Sequence, residues 1–179
     1  MSEKDKQDSE RLCVSRRQFM LTGASVVAMG MMPGIVGATG LMKKEYPRQG
    51  IIALNKLKKD QPVDFLYPPN LPGSMFFLVK LGEAAGGGIG PDNDIVAFSY
   101  QCPHMGGPLN GMYKANHKAL GPCPLHLTSF DLTRHGMVIT GHATESLPQA
   151  SLEIHKGHIY ATGVTGLIYG TEDNLMSVS

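Results

Sequence analysis

Two short segments that each combine a cysteine with a histidine constrain this chain more than any other feature of its sequence. The first is Cys-Pro-His at 102–104, and after eighteen residues the second is Cys-Pro-Leu-His at 123–126. Glycine and proline flank both segments and favour tight loops, which can turn backbone amides towards a buried anion. The sequence therefore predicts a metal centre with two thiolate and two imidazole ligands, namely Cys102, His104, Cys123 and His126.

A disulfide and a structural zinc site are the two alternatives for this motif. The chain has three cysteines, at 13, 102 and 123, and the last two could form a disulfide, as cysteines often do in small exported domains. A structural zinc site would also use two cysteines and two histidines. Zinc fingers usually separate a cysteine pair from a histidine pair, however, whereas the two residue types alternate here. Alternation suits a two-iron cluster with thiolates on one iron and histidines on the other.

The first 42 residues are typical of a targeting segment. Arg16 and Arg17 precede an uncharged run, 19–42, that contains five glycines and one proline. This pattern resembles a twin-arginine export signal, so we expect delivery to the periplasm of a protein already folded around its cofactor. The signal could be cleaved after Ala38; the alternative is an uncleaved leader, and only then would the chain contact a membrane. Cys13 precedes the arginines and is interpreted as an incidental residue.

Residues 43–179 are predicted to form one all-β domain. Short apolar runs between turn residues predict strands at 50–54, 74–81, 95–100, 137–140 and 152–164, the last being a hairpin about Lys156 and Gly157. No stretch after the leader has the periodicity of an amphipathic helix. The glycine-rich segment 82–90 does not open a helix and is interpreted as a surface loop. A net charge of +1 argues against a nucleic-acid partner, since phosphate binding needs a clustered basic surface.

The metal-binding motif resembles that of the Rieske iron–sulfur proteins. The resemblance implies one [2Fe–2S] cluster per chain, in which Cys102 and Cys123 hold the iron that stays ferric. His104 and His126 would hold the iron that accepts the electron, and such histidine ligation places the potential at about −150 to +300 mV. The family fold consists of antiparallel sheets with a small cluster-binding subdomain, here at about 101–131. The outer imidazole nitrogens would face solvent or a partner and provide the route for electrons.

Several positions depart from the pattern of high-potential Rieske proteins. Many of those proteins have a disulfide at the positions of Gly107 and Leu125, which this chain lacks. They also have a serine that donates to a bridging sulfide and a tyrosine that donates to a cysteine sulfur; the corresponding residues here are Thr128 and Phe130. Thr128 can keep the first hydrogen bond, but Phe130 has no hydroxyl for the second. Because such donors stabilise the reduced cluster, we predict a lower potential than in the quinol-oxidising complexes.

Within the Rieske family, the chain is most similar to the small subunit of arsenite oxidase. The similarity covers most of residues 74–163, in particular 126–136 (HLTSFDLTRHG) and 141–149 (GHATESLPQ). It implies a heterodimer or larger complex, in which electrons pass from a large subunit with molybdopterin and a [3Fe–4S] cluster, through this chain, to a cytochrome c or copper protein. This chain itself would not bind or oxidise arsenite. The alternatives are a subunit of a quinol–cytochrome c reductase and a zinc-stabilised structural module.

The remaining histidines are not at ligand spacing and are interpreted as surface or loop residues: His117, His135, His142, His155 and His158. Of these, His142 has the best claim to a functional role, because its segment resembles the loop that covers a Rieske cluster. Asp131 and Arg134 are interpreted as a local salt bridge or turn bond. The eleven methionines do not indicate copper, because five lie in the uncharged run 19–42 of the leader and the rest are scattered.

Overall fold

The computed structural model describes residues 45–175, which form two antiparallel sheets. The predicted export signal at 1–42 lies outside the described residues. The strands are β1 Gln49–Ala53, β2 Val63–Leu66, β3 Met75–Lys80, β4 Ile95–Ser99, β5 Tyr113–Lys114, β6 Ala119–Leu120, β7 Ser129–Asp131, β8 Met137–Thr140, β9 Gln149–His155 and β10 His158–Thr165. Two short 3-10 helices, Leu54–Lys56 and Ala115–His117, complete the elements of this part. None of its helices is long and apolar enough to cross a membrane.

The larger sheet has the order β1-β10-β9-β4-β3-β2, and both faces of its centre are covered. β3 and β4 are almost entirely buried. Successive residues of a strand point to opposite faces, so Phe77 and Phe98 pack in one core, together with the two cysteines of the motif. Phe76 and Ala97 pack in a second core with Ile159 of β10. The continuous apolar runs of β3 and β4 therefore reflect a sheet that is buried on both sides.

The smaller sheet, with the order β5-β6-β7-β8, carries the predicted metal centre. Its strands are two to four residues long, and such short strands need packing against another layer. Phe130 and Leu132 supply this packing, because their side chains are buried in the first core. Asp60, which precedes β2, adds a polar clamp: it accepts hydrogen bonds from the Tyr113 hydroxyl at 2.6 Å and the Lys118 ammonium at 2.7 Å. The clamp ties the smaller sheet to the larger one.

We expect Asp60→Asn to lower the free energy of unfolding by about 1–2 kcal/mol at pH 7, a usual value for charge-assisted hydrogen bonds that stay partly exposed. Burial alone would raise the pKa of Asp60, but the hydrogen bonds from Lys118 and Tyr113 outweigh it and hold the pKa below its ordinary value of 3.8. The stabilisation is therefore present above that ordinary value and is lost as the pH falls through the lowered, folded-state pKa.

Urea unfolding across this pH range measures the effect of the clamp. The wild type and Asp60→Asn should differ at pH 7 and converge once the pH falls below the lowered, folded-state pKa of Asp60. Asp92→Asn is the control, because Asp92 is exposed and contacts Lys80 at the surface. Equal losses in the two variants, or a difference that persists in acid, would contradict the clamp.

The structure confirms the predicted all-β class with antiparallel sheets. β8 has its predicted bounds, and β9 and β10 form the predicted hairpin, with Lys156 and Gly157 both at the positive φ of a type I′ turn. The predicted strand at 50–54 is wrong at its end, because Leu54 begins a 3-10 helix. β2 and the short strands β5, β6 and β7 were not predicted. The sheet around the candidate site continues past residue 131, since β8 completes it.

Candidate metal centre

Both ligand segments fold into the same backbone turn. In each, the N–H of the cysteine donates to the carbonyl five residues later, at 2.9 and 2.8 Å. The carbonyl of each cysteine accepts from the N–H four residues later, at 2.8 and 2.9 Å. The residue four positions after each cysteine has a positive φ, +66° at Gly106 and +59° at Leu127. Glycine adopts this conformation readily, whereas leucine is strained there, and strain of this kind concentrates at functional sites.

The four predicted ligands come together on these two turns. Cys102 and Cys123 are 1% and 2% exposed, and both thiols are free. The rings of His104 and His126 have their centroids 4.6 Å apart and are nearly perpendicular, at 80°. The Nδ1 atoms of both rings are buried without a hydrogen-bond partner among the described residues. Because each such atom costs about 1–3 kcal/mol, two of them on adjacent imidazoles indicate a bound group that uses both.

The environment of the thiols favours a positively charged group. Burial raises the pKa of the Cys102 thiol, while the backbone N–H groups of His104 and Met105, which donate to its sulfur, act in the opposite direction. The neighbouring thiol of Cys123 raises the pKa of Cys102 further. A pair of thiolates here is therefore unfavourable without metal, since metal coordination is what deprotonates such thiols. The two amides are already oriented as donors to ligand sulfur.

These residues fit a [2Fe–2S] cluster of the predicted type. Each turn supplies one thiolate and one imidazole, and the cluster needs two of each, with the histidines on a single iron. The free thiols do not support the disulfide alternative. Zinc accepts the same kinds of donor, but no group of three or more histidine, cysteine, aspartate or glutamate side chains among the described residues is placed to hold a single metal ion. The four side chains form a thiol pair and an imidazole pair instead.

A leucine–glycine contact occupies the place where many Rieske proteins have their disulfide. A Cβ at Gly107 would lie 3.1 Å from two side-chain carbons of Leu125 and 2.6 Å from the Cys123 sulfur. Gly107 and Leu125, the positions of the disulfide in many Rieske proteins, therefore face each other across the two turns, as the resemblance implies. The absence of a side chain at residue 107 lets Leu125 and Cys123 approach the first turn closely.

Thr128 connects the second turn to the segment after β8. It is fully buried, and its Oγ1 accepts hydrogen bonds from the N–H groups of His142 at 3.0 Å and Ala143 at 3.3 Å. A hydroxyl has two lone pairs and one proton, so both acceptor sites are used and the proton is left to donate. Thr128 therefore holds the covering segment and keeps its hydroxyl proton for the predicted hydrogen bond to a cluster sulfur, which stays a prediction.

Two aromatic side chains join the site from distant parts of the chain. The ring of His142 lies 6.0 Å from that of His104 and 6.1 Å from that of His126. Tyr169 lies over the first turn, where a Cβ at Gly106 would be 2.7 Å from its ring. A family resemblance pointed to His142 in the sequence, but no sequence signal pointed to Tyr169, whose position depends on how the segment after β10 packs.

The remaining predictions about polar residues concern local contacts. The Nδ1 of His135 lies 2.9 Å from the Gln149 side-chain oxygen, so this histidine has a partner away from the ligand turns. Asp131 accepts hydrogen bonds from the backbone and hydroxyl of Thr133 and lies 3.8 Å from Arg134. The interpretation of Asp131 and Arg134 as a turn bond with a local salt bridge is confirmed.

Comparison with known proteins establishes the class of this chain. Residues 55–151, more than half of it, match the family model of the Rieske [2Fe–2S] domain. The chain therefore belongs to the Rieske family and carries one [2Fe–2S] cluster, which removes the zinc alternative. The fold agrees with the soluble domain of Rieske protein II (soxF) from Sulfolobus acidocaldarius, with a TM-score of 0.60 at 24% identity, over 71% of this chain and 82% of that one.

Two relatives are similar along almost their whole length. They are the iodate reductase subunit IdrB of Denitromonas iodatirespirans and the protein of the same name from Pseudomonas sp. (strain SCT), each 58% identical to this chain over 166 residues. The alignments cover 92% and 91% of this chain, and 89% and 85% of the relatives.

We expect Phe130→Tyr to raise the reduction potential of the cluster. Phe130 is fully buried in the core that contains both cysteines, so a hydroxyl there would add a donor near ligand sulfur. A hydrogen bond that contributes about 0.5–1.5 kcal/mol net would raise the one-electron reduction potential by about 20–60 mV. A redox titration followed by electron paramagnetic resonance (EPR) measures the shift. Phe98→Tyr, in the same core on β4, is the control, and equal potentials in the two variants would show that the hydroxyl of residue 130 does not reach sulfur.

Proposed function

We propose that this chain is the electron-transfer subunit of an iodate-reducing oxidoreductase, and that its cluster supplies a separate catalytic subunit. The observation that supports this proposal is the 58% identity to two iodate reductase subunits over almost the whole length of both chains. A single cluster passes one electron at a time. The half-buried rings of His104 and His126 are where a partner can approach it most closely.

The substrate sets the direction of electron flow. Iodate is an oxidant, and its reduction to iodide and water consumes several electrons and an equal number of protons. This chain would take the electrons singly from a reduced periplasmic donor, a cytochrome c or a copper protein, and pass them to the catalytic subunit. A molybdopterin cofactor and a [3Fe–4S] cluster in that subunit are part of the proposal, on the strength of the resemblance to arsenite oxidase.

Arsenite oxidation is the second candidate function. The segments 126–136 and 141–149, which resemble the small subunit of arsenite oxidase, favour it. Electrons would then flow in the opposite direction, from the catalytic subunit through this chain to the periplasmic acceptor. The two candidates therefore make opposite predictions about which compound oxidises or reduces the cluster.

The test is to follow the EPR signal of the reduced cluster in the native complex, enriched from periplasm. Under the first proposal, iodate added to the reduced complex removes the signal, and arsenite added to the oxidised complex produces none. A signal that appears on addition of arsenite would overturn the iodate proposal in favour of arsenite oxidase. A signal that responds to neither compound but appears with a quinol would assign the chain to a quinol–cytochrome c reductase.

Export through the twin-arginine route belongs to the same proposal. It is supported by Arg16 and Arg17 before the uncharged run 19–42. A double substitution of both arginines by lysine is expected to leave the cluster signal in the cytoplasmic fraction. A periplasmic signal from that variant would contradict this route.

A further inference from the structure

β8 is a sheet edge with exposed apolar side chains. It is the outer strand of the smaller sheet, so one row of its backbone N–H and C=O groups has no strand partner there. Met137 and Ile139 are 54% and 58% exposed, and the segment 137–144 contains no lysine, arginine, aspartate or glutamate. An unpaired strand edge with exposed apolar side chains is a place where another chain can add a strand.

The three remaining edges of the two sheets are protected. β5 is only two residues long and includes Lys114. β2 follows Pro62 and contains Asp64. β1 follows Arg48, whose guanidinium bonds to Glu153 of β9. Short strands, charges and proline are the usual means of preventing strand addition. The protection of β8 against strand addition is limited to a bulge, where its register with β7 shifts.

The β8 edge leads directly to the cluster site. Thr140, its last residue, pairs with Ser129 at the end of the second ligand turn. His142 follows two residues later, and its ring lies about 6 Å from the rings of both predicted histidine ligands. Leu125 and Leu127 on the neighbouring turn are exposed as well. A chain that covers β8 is therefore placed beside the point where electrons enter or leave.

We propose that an uncharged, extended segment of the catalytic subunit pairs with β8 as an additional strand. This inference rests on the proposed function, because it requires that the chain is a subunit. Strand addition obtains affinity from main-chain hydrogen bonds and specificity from alternate side chains, which here would pack over Met137 and Ile139. The uncharged edge selects an uncharged partner, since a charge buried against it would have no counter-charge.

The test uses the native complex, purified through an affinity tag on this chain. Ile139→Lys is expected to reduce the amount of co-purified catalytic subunit, per cluster EPR signal, by about tenfold or more, because the lysine is solvated in the free chain but unpaired in the interface. Ile154→Lys makes the same substitution at an exposed position in β9 of the larger sheet and should leave the complex intact. The outward-facing backbone amides of β8, which have no partner in β7, should exchange hydrogen rapidly in the isolated chain and slowly in the complex.

Three results would overturn the proposal. The first is equal recovery of the catalytic subunit with Ile139→Lys and with Ile154→Lys. The second is protection of the outward-facing β8 amides in the isolated chain, which would show that this chain or a second copy covers the edge. The third is a complex in which the outward-facing β8 amides stay unprotected, and in that case the proposed function stands. If the wild-type chain shows its Rieske signal but holds no catalytic subunit, the proposed function fails and this inference fails with it.

Discussion

His126→Ala is expected to abolish the [2Fe–2S] cluster, whereas His135→Ala should leave it in place. The Nδ1 of His126 is buried without a hydrogen-bond partner among the described residues, and its ring lies beside that of His104. Its removal would take one ligand from the iron that the two histidines hold. The Nδ1 of His135 is instead within hydrogen-bonding distance of Gln149. Iron content per chain and the EPR spectrum of the reduced protein measure the result, and the wild type should contain two irons per chain.

His142→Ala is the sharper control for the ligand assignment. The ring of His142 is about 6 Å from those of His104 and His126, so its replacement disturbs the same surface without removing a predicted ligand. We expect this variant to keep its iron and a Rieske spectrum. A normal spectrum in His126→Ala would refute the ligand assignment, and loss of the cluster in His142→Ala would make His142 part of the binding site itself.

The loss of the cluster should also destabilise the smaller sheet. Its strands are two to four residues long, and the two ligand turns connect them to each other and to β4. A bound metal group that forms only in the folded state adds its binding free energy to folding. We therefore expect faster amide exchange in β6 and β7 of His126→Ala, while β3 and β4 keep the protection of their buried core.

The two ligand turns could be predicted from the sequence because each turn is local. Each turn is closed by hydrogen bonds between a cysteine and residues four and five positions later, so the spacing of the motif already contains its geometry. The contact of His142 with this site depends instead on the pairing of β7 with β8. Tyr169 reaches the first turn only through the packing of the chain after β10. Neither contact follows from local sequence spacing.

The strands also divide into those that the local sequence predicts and those that depend on pairing with a distant part of the chain. β3 and β4 could be predicted because burial on both faces produces long apolar runs. The turn between β9 and β10 could be predicted because Lys156 and Gly157 favour a two-residue hairpin loop. β5, β6 and β7 have two or three residues each, too few to show an alternating pattern. They are strands only because each pairs with a neighbour, which local sequence does not reveal.

Gly141→Ala is expected to lower the free energy of unfolding by about 3–5 kcal/mol, the combined size of backbone strain and overpacking in a rigid site. The φ of Gly141 is +111°, and a Cβ there would lie 2.3 Å from the Cα and 2.7 Å from the backbone nitrogen of Thr128. These atoms belong to the second ligand turn, so the alanine fits only if that turn moves. Such a movement would stretch the hydrogen bonds from His142 and Ala143 to Thr128 and shift His126.

Gly157→Ala separates the cost of the contact from the cost of the backbone conformation. The φ of Gly157 is +74°, and a Cβ there would meet no atom within 4 Å, so this variant should lose only about 1 kcal/mol. Urea unfolding and iron content of both variants measure the difference, and we expect only Gly141→Ala to lose iron. If the two variants match in stability and in iron content, the segment after β8 does not hold the second ligand turn, and the hydrogen bonds to Thr128 do not contribute to retention of the cluster.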